Sequence, residues 1–304
     1  MYSQLIPILA PVFIVALLGY GWARLALPFD REFVTGIVMN IGVPCLILQG
    51  ATGLDAEVSL FMSMLGYALL ALMVCAVVGT VVLRALGQPL RSYLPPVAFG
   101  NAGNLGLPLC LFAFGPRGLG LAIGFYLVGS VAQFLVGPLF QGRKPVWRTL
   151  LSTPVNYAAV LGVALLSTGT ALPAWLGNTV QLLAGMAIPL MLVALGHALG
   201  SFSLNRLRVA TALALARLGL GLAVGLGIVW AFGLDGTERG VVLIESAMPV
   251  AVFLVSSTRE VTQPAAARAS SRPGARPLHP EASQPGSGCR GIGFFHGHDT
   301  AGAC

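Results

Sequence analysis

Charge is what this sequence has least of. Of its 304 residues, 17 are Lys or Arg and 10 are Asp or Glu, 9% in all, where a soluble domain carries about a quarter. With 56% apolar residues and a mean hydropathy of +0.86, that scarcity excludes an ordinary water-soluble globule and reads as an integral membrane protein. Strict apolar/polar alternation is missing too: the apolar residues come in runs such as Tyr67–Leu83, which excludes a membrane β-barrel. Paired cysteine spacing is a third absence. Cys45, Cys75, Cys110, Cys289 and Cys304 are scattered, and the first three fall inside apolar runs, so they read as small buried residues with no disulfide frame. A basic segment before the first apolar run and a small-residue cleavage site after it are also lacking. That run is therefore read as a retained first helix, a signal peptide being the lesser alternative.

What is present is a series of apolar segments. Crossing a hydrocarbon core of about 30 Å takes about 20 apolar residues in a helix. Hydropathy predicts nine spans, near 4–23, 33–52, 60–84, 92–114, 119–140, 154–170, 174–199, 208–233 and 238–255. The odd-numbered connections hold Arg24, Arg31, Arg84, Arg91, Arg143, Lys144, Arg148, Arg206 and Arg208, against Arg117 and Arg239 in the even ones. Basic residues concentrate on the cytoplasmic side, which puts the N-terminus outside. The expected location is the plasma (inner) membrane, as a multi-pass protein.

Proline-containing segments recur. Asn40-Ile41-Gly42-Val43-Pro44 returns 64 residues later as Asn104-Leu105-Gly106-Leu107-Pro108, and Met186-Ala187-Ile188-Pro189 is followed 60 residues later by Ser246-Ala247-Met248-Pro249. Pro44 to Pro189 is 145 residues and Pro108 to Pro249 is 141. A repeat of five spans is odd in number, so its second copy runs with opposite polarity, an architecture of secondary transporters. The expected fold is all-α, an inverted repeat of five plus five with the tenth helix missing: 1–140 the first repeat, 141–153 a basic cytoplasmic linker, 154–255 the second repeat. Composition changes after Val255. The last 49 residues hold five Arg, five Pro, seven Gly, eight Ala and six Ser, too polar to span a bilayer. This 256–304 tail is read as the product of a reading-frame shift that replaced a tenth helix, against a natural disordered extension.

Chemistry concentrates in two segments. Phe99–Leu109 packs three Gly, two Asn and one Pro into Gly100–Pro108, poor material for a continuous helix, since Gly costs about 1 kcal/mol and Pro about 3 kcal/mol against Ala. An unwound stretch at membrane depth has to be buried in protein or line a wet cavity, which makes Asn101, Gly103, Asn104, Gly106 and Pro108 candidate substrate-binding positions. The competing reading is a proline kink with glycines for tight packing. Ser246 and Pro249 in the ninth span form the matching element. Two interrupted helices from inverted halves would meet near the midplane, where half-helix N-termini suit an anion such as a carboxylate.

Ionisable residues within the spans are few. Arg217 lies about 13 Å from the inner end of its helix and Glu245 about 11 Å from the outer end of its own, counting 1.5 Å per residue, so they are expected at similar depth and able to pair. Such residues are functional by default, here a proton-coupling carboxyl or an Arg that holds an anion; a structural ion pair is the alternative. His197, near an inner end, is read as a solvated end-of-helix residue before a proton relay. His296, His298, Asp299, Cys289 and Cys304 lie in the Gly-rich tail without preorganised geometry, so no metal site is expected. Nothing matches a phosphate loop or pairs a nucleophile with a base. An enzyme, a bound cofactor and a nucleic-acid partner are therefore not expected.

At Asn101–Pro108, Pro154-Val155-Asn156-Tyr157, Ile188–Gly196 and Glu245–Ala251 the sequence resembles the auxin efflux carrier family of bacterial permeases, over about residues 1–254. The resemblance implies a ten-helix secondary transporter of two inverted repeats, with a scaffold and a transport domain. It also implies helices four and nine crossing at Pro108 and Pro249, and a substrate site by Asn101 and Asn104. Plant members export auxin and bacterial relatives are associated with malate or malonate. After Phe253 the sequence departs from the family, with Ser256-Ser257-Thr258-Arg259 where the ninth helix would continue. The expected function is alternating-access transport of small organic anions, with protons and the lipid bilayer as further partners and a homodimer left open; the alternative is a truncated product that inserts but does not transport.

Overall fold

The computed structural model describes residues 2–52, 58–141, 153–170, 172–201 and 207–250. Most of the linker, with Arg143, Lys144 and Arg148, lies outside the described residues, as do Arg206, residues 251–255 of the ninth span and the whole 256–304 tail. Within the described residues the chain is helical and has no strand. Helix α1 spans Tyr2–Arg24, α2 Arg31–Ile37, α3 Val43–Thr52, α4 Val58–Ala85, α5 Leu90–Ala98, α6 Leu107–Gln141, α7 Pro154–Thr168, α8 Ala174–Gly200, α9 Leu207–Phe232 and α10 Gly236–Ser246.

Among the described residues six helical segments are long and apolar enough to cross a membrane, Ile6–Arg24, Arg31–Thr52, Val58–Ala85, Ala102–Gln133, Ala174–Gly200 and Thr211–Phe232, where hydropathy suggested nine spans. The difference has local causes. The sixth expected span is the shorter apolar helix Pro154–Thr168. The fourth is cut into α5 and the start of α6, and α10 stops at Ser246. The fourth and fifth then merge into one long segment interrupted only at Gly115 (φ 67°, ψ −159°).

Gly115 falls between the residues expected to end the fourth span and begin the fifth. Its backbone lies in a region that is essentially glycine-only and costs about 1–3 kcal/mol for other residues. Open space surrounds the position a Cβ would take, so Gly115→Ala is expected to lower the thermal midpoint through backbone strain alone. An unchanged midpoint would mean that the two helical stretches can rejoin at no cost.

The repeated Asn-x-Gly-x-Pro sequence produces the same local structure twice. Val38–Gly42 and Ala102–Gly106 are each one turn of π-helix, closed by the amides of Val43 and Leu107 on the carbonyls of Val38 and Ala102. Pro44 and Pro108 follow two residues beyond each glycine. A proline cannot donate to the carbonyl four residues back and its ring crowds that carbonyl, and a π turn relieves both problems. Asn40 adds a bond of its own, Nδ2 to the Gly36 carbonyl at 2.8 Å.

Helices α1 and α8 pack backbone to backbone. Gly196 and Gly200, one turn apart on α8, lie against the backbone of Ala16 and Tyr20, and Gly19 on α1 lies against that of Val193. This small-xxx-small arrangement brings helix backbones together in a bilayer. The core gathers residues from several helices, with Val43, Met64, Leu121, Ile123, Leu192 and Val241 at 2% exposure or less. Outward faces stay apolar: Leu17, Leu182 and Trp230 are exposed, as lipid-facing residues are. Trp22, Trp175 and Trp230 lie near helix ends, the level at which aromatic belts meet the lipid headgroups.

Candidate functional site

The interrupted helices meet. Helix α5 ends at Ala98, and Phe99 is extended (φ −100°, ψ 116°). Gly100 forms an isolated antiparallel bridge with Val250, and the Asn101 amide donates to the Pro249 carbonyl at 2.8 Å. The Asn101 carbonyl in turn accepts from the amides of Leu105 (3.2 Å) and Gly106 (3.3 Å). Two broken backbones thus satisfy part of each other's hydrogen bonding, which an interruption at membrane depth requires.

The contact falls at Gly100–Asn101 and Pro249–Val250, so Pro249 is where the sequence suggested and Pro108 is not. Pro108 is buried in the first turn of α6, eight residues past Gly100. The reason is directional: a proline disrupts bonding to residues on its N-terminal side, and the disruption extends back through the π turn to Phe99.

The candidate residues gather around this crossing. Asn101 is buried at 6% exposure. Gly103 and Asn104 are half-buried, and Gly103 lies against the Tyr126 ring, where a Cβ would come 2.8 Å from Cε2. Ser246 is buried at the end of α10, and its hydroxyl has no partner among the described residues.

Arg217 and Glu245 are both buried, at 5% and 1% exposure, but they do not pair. Glu245 turns toward α6. Its carboxyl lies over Gly106, where a Cβ would sit 2.5 Å from both oxygens. The Cys110 thiol donates to Oε1 at 3.7 Å, and Oε2 has no partner among the described residues. Arg217 reaches instead from α9 to the backbone of α10, Nη1 donating to the Ser246 carbonyl at 2.8 Å. Gly221, one turn further along α9, makes room for that contact. The expected pairing rested on depth, and depth carries no information about which way each side chain faces.

His197 is half-buried and stacks on Phe29, centroids 4.3 Å apart and rings inclined 22°. It anchors the α1–α2 connection and stands apart from the crossing. Cys45, Cys75 and Cys110 are free thiols, and no group of three or more potential metal ligands occurs among the described residues. Sequence reasoning missed the contact of Cys110 with Glu245 and the roles of Gly100 and Gly221 beside Arg217. The one available signal was Gly221 four residues after an intramembrane Arg.

Residues 139–268 match a family described as membrane transport protein. An uncharacterized transporter of Methanothermobacter thermautotrophicus is 27% identical over 266 residues, covering 80% of this chain and 84% of that protein. An uncharacterized transporter of Methanocaldococcus jannaschii is 26% identical over 164 residues, 51% of this chain and 53% of that protein. Over residues 139–268 the chain is thus similar to a family of membrane transport proteins, the kind of resemblance that the motifs suggested. With six helices among the described residues long and apolar enough to cross a bilayer, these relatives support a multi-pass membrane transporter.

Proposed function

We propose that this chain is a secondary transporter of small organic anions, working by alternating access in the plasma membrane with its N-terminus outside. The observation that carries the reading is the crossing itself, two interrupted helices joined by the Gly100–Val250 bridge and the Asn101–Pro249 hydrogen bond. Discontinuous helices of this kind bind substrate near the midplane in transporters built from inverted repeats. The π turns at Val38–Gly42 and Ala102–Gly106 support a repeated element within the first half, and five plus five spans is the arrangement we favour for the whole. Anion preference is supported by Arg217, a buried guanidinium beside the crossing, and by the N-terminal amides of the helix that resumes after Asn101.

In this reading Asn101 and Asn104, with Gly103, Gly106, Pro108, Ser246 and Pro249 around them, shape the substrate site. Glu245 couples anion movement to a proton: it is the buried carboxyl next to the crossing, and an ionisable group in that position is a functional candidate by default. The bilayer is the remaining partner, and a homodimer is compatible with the apolar outer faces.

Uptake of labelled malonate, malate and an aromatic carboxylate into proteoliposomes tests the proposal. At least one is expected to accumulate, and Asn104→Ala is expected to reduce its uptake about tenfold, the effect of about 1.4 kcal/mol of lost binding. Absence of uptake for all three would overturn organic-anion transport, and full uptake by Asn104→Ala would remove the crossing as the binding site.

A further inference from the structure

The guanidinium of Arg217 is only partly used by the protein. Among the described residues its one hydrogen bond runs from Nη1 to the Ser246 carbonyl at 2.8 Å. Nε is buried without a partner. Nη2 lies over Gly100, where a Cβ would come within 2.9 Å of it. Nε and Nη2 together form the side-on edge of the group, two parallel N–H donors with the spacing that grips a carboxylate at both oxygens. A side chain at 5% exposure with an orphan donor is costly to keep.

We infer that the Nε–Nη2 edge of Arg217 is the seat of the substrate's carboxylate, held beside the extended backbone at Phe99–Asn101. This rests on the anion-transport reading and names the group that would do the recognising. The purely structural role open to Arg217 is to cap the carbonyl end of α10, where a cation is favourable. That role uses Nη1 alone and leaves Nε unexplained, and a lysine ammonium could perform it. A forked donor is needed only where a planar group with two acceptor oxygens has to be oriented. Glu245 does not compete for the fork, since its carboxyl faces Gly106 and Cys110 on the other side of α10. Gly100 fits the same role, because a side chain there would run into Nη2. The ligand class is a small molecule with a free carboxylate. Its neutral amide is rejected, because an NH₂ group would meet a donor in place of the second acceptor oxygen.

The experiment measures binding and transport separately. Purified protein in lipid nanodiscs is titrated with malonate, acetate and benzoate, and with malonamide as the neutral control, reading the thermal midpoint. At least one carboxylate is expected to raise the midpoint and malonamide to leave it unchanged. Arg217→Lys, which keeps the charge and can still cap Ser246, is expected to raise the KM for uptake at least tenfold while kcat changes little. Guanidinium ion added to Arg217→Ala is expected to restore part of the carboxylate response. Gly100→Ala, whose Cβ would crowd the Met248 carbonyl as well as Nη2 but which leaves the Arg in place, is a second variant should the Arg217 substitutions fail to fold, and is also expected to raise KM. An unchanged KM in Arg217→Lys, an unchanged KM in Gly100→Ala, or wild-type protein that responds to malonamide as it does to malonate would each overturn the inference. Carboxylate binding to wild-type protein that transports nothing would instead overturn the transport reading and leave the site standing.

Discussion

Gly196→Val is expected to prevent the protein from accumulating in the membrane. Gly196 faces α1 so closely that a Cβ would overlap the Ala16 carbonyl oxygen and lie 3.0 Å from the Tyr20 amide nitrogen. One turn on, a Cβ at Gly200 would come 2.7 Å from that of Ala23. Between helices in lipid there is no hydrophobic drive to associate, so close packing has to supply the attraction. Helix α1 has little to fall back on, because Phe13, Ile14, Leu17 and Leu18 face outward. Pushing the pair apart forfeits most of that contact. Overpacking typically costs about 1–3 kcal/mol and sometimes more, against a total stability of about 5–15 kcal/mol. The measurement is membrane-fraction yield and a monodisperse size-exclusion peak, with Gly66→Val as control, since Gly66 is exposed and a Cβ there would meet nothing within 4 Å. Equal yields for the two variants would show that α1 is held by something other than this glycine seam.

Features written in local backbone chemistry were legible in the sequence. The Asn-x-Gly-x-Pro repeat became two π turns with the same 64-residue offset, because a missing N–H and a ring clash act on the nearest turn whatever surrounds it. The end of the fourth span was placed next to Gly115, where the backbone turns out of helix. What failed needed tertiary information. The pairing of Gly100 with Val250 depends on a partner 150 residues away, and the most visible residue of the segment, Pro108, marks the end of the disruption and not its centre. Arg217 and Glu245 were found by their rarity, yet their supposed pairing assumed that equal depth means facing side chains. Cys110 was hidden by its own composition: in an apolar run a thiol looks like packing, and only the fold brings it to the Glu245 carboxyl. The nine expected spans and the six long apolar helices among the described residues differ for a related reason, since hydropathy averages across a broken helix and cannot tell two half-helices from one whole one.

The second large effect belongs to Glu245, and two substitutions separate its charge chemistry from its fit. Glu245→Gln keeps the shape over Gly106 but cannot take up or release a proton. The protein is expected to fold and still bind anion, while uptake driven by a pH gradient falls to the level seen without one. Gly106→Ala leaves the carboxyl chemistry intact and removes its seat, since the new Cβ would lie 2.5 Å from both oxygens of a side chain at 1% exposure. Gly106 cannot simply retreat, because its own amide is bound to the Asn101 carbonyl and the next one, at Leu107, to Ala102. Glu245 must therefore leave its position, and uptake is expected to fall more than tenfold, equivalent to at least about 1.4 kcal/mol. Glu245→Asp, one methylene shorter, is expected to be harmful alone and to recover part of the activity when combined with Gly106→Ala, the non-additivity of residues in contact. If Glu245→Gln retained full pH-driven uptake, the carboxyl would be structural. If the double variant were no better than Gly106→Ala alone, the glycine would serve the π turn and not the carboxyl above it.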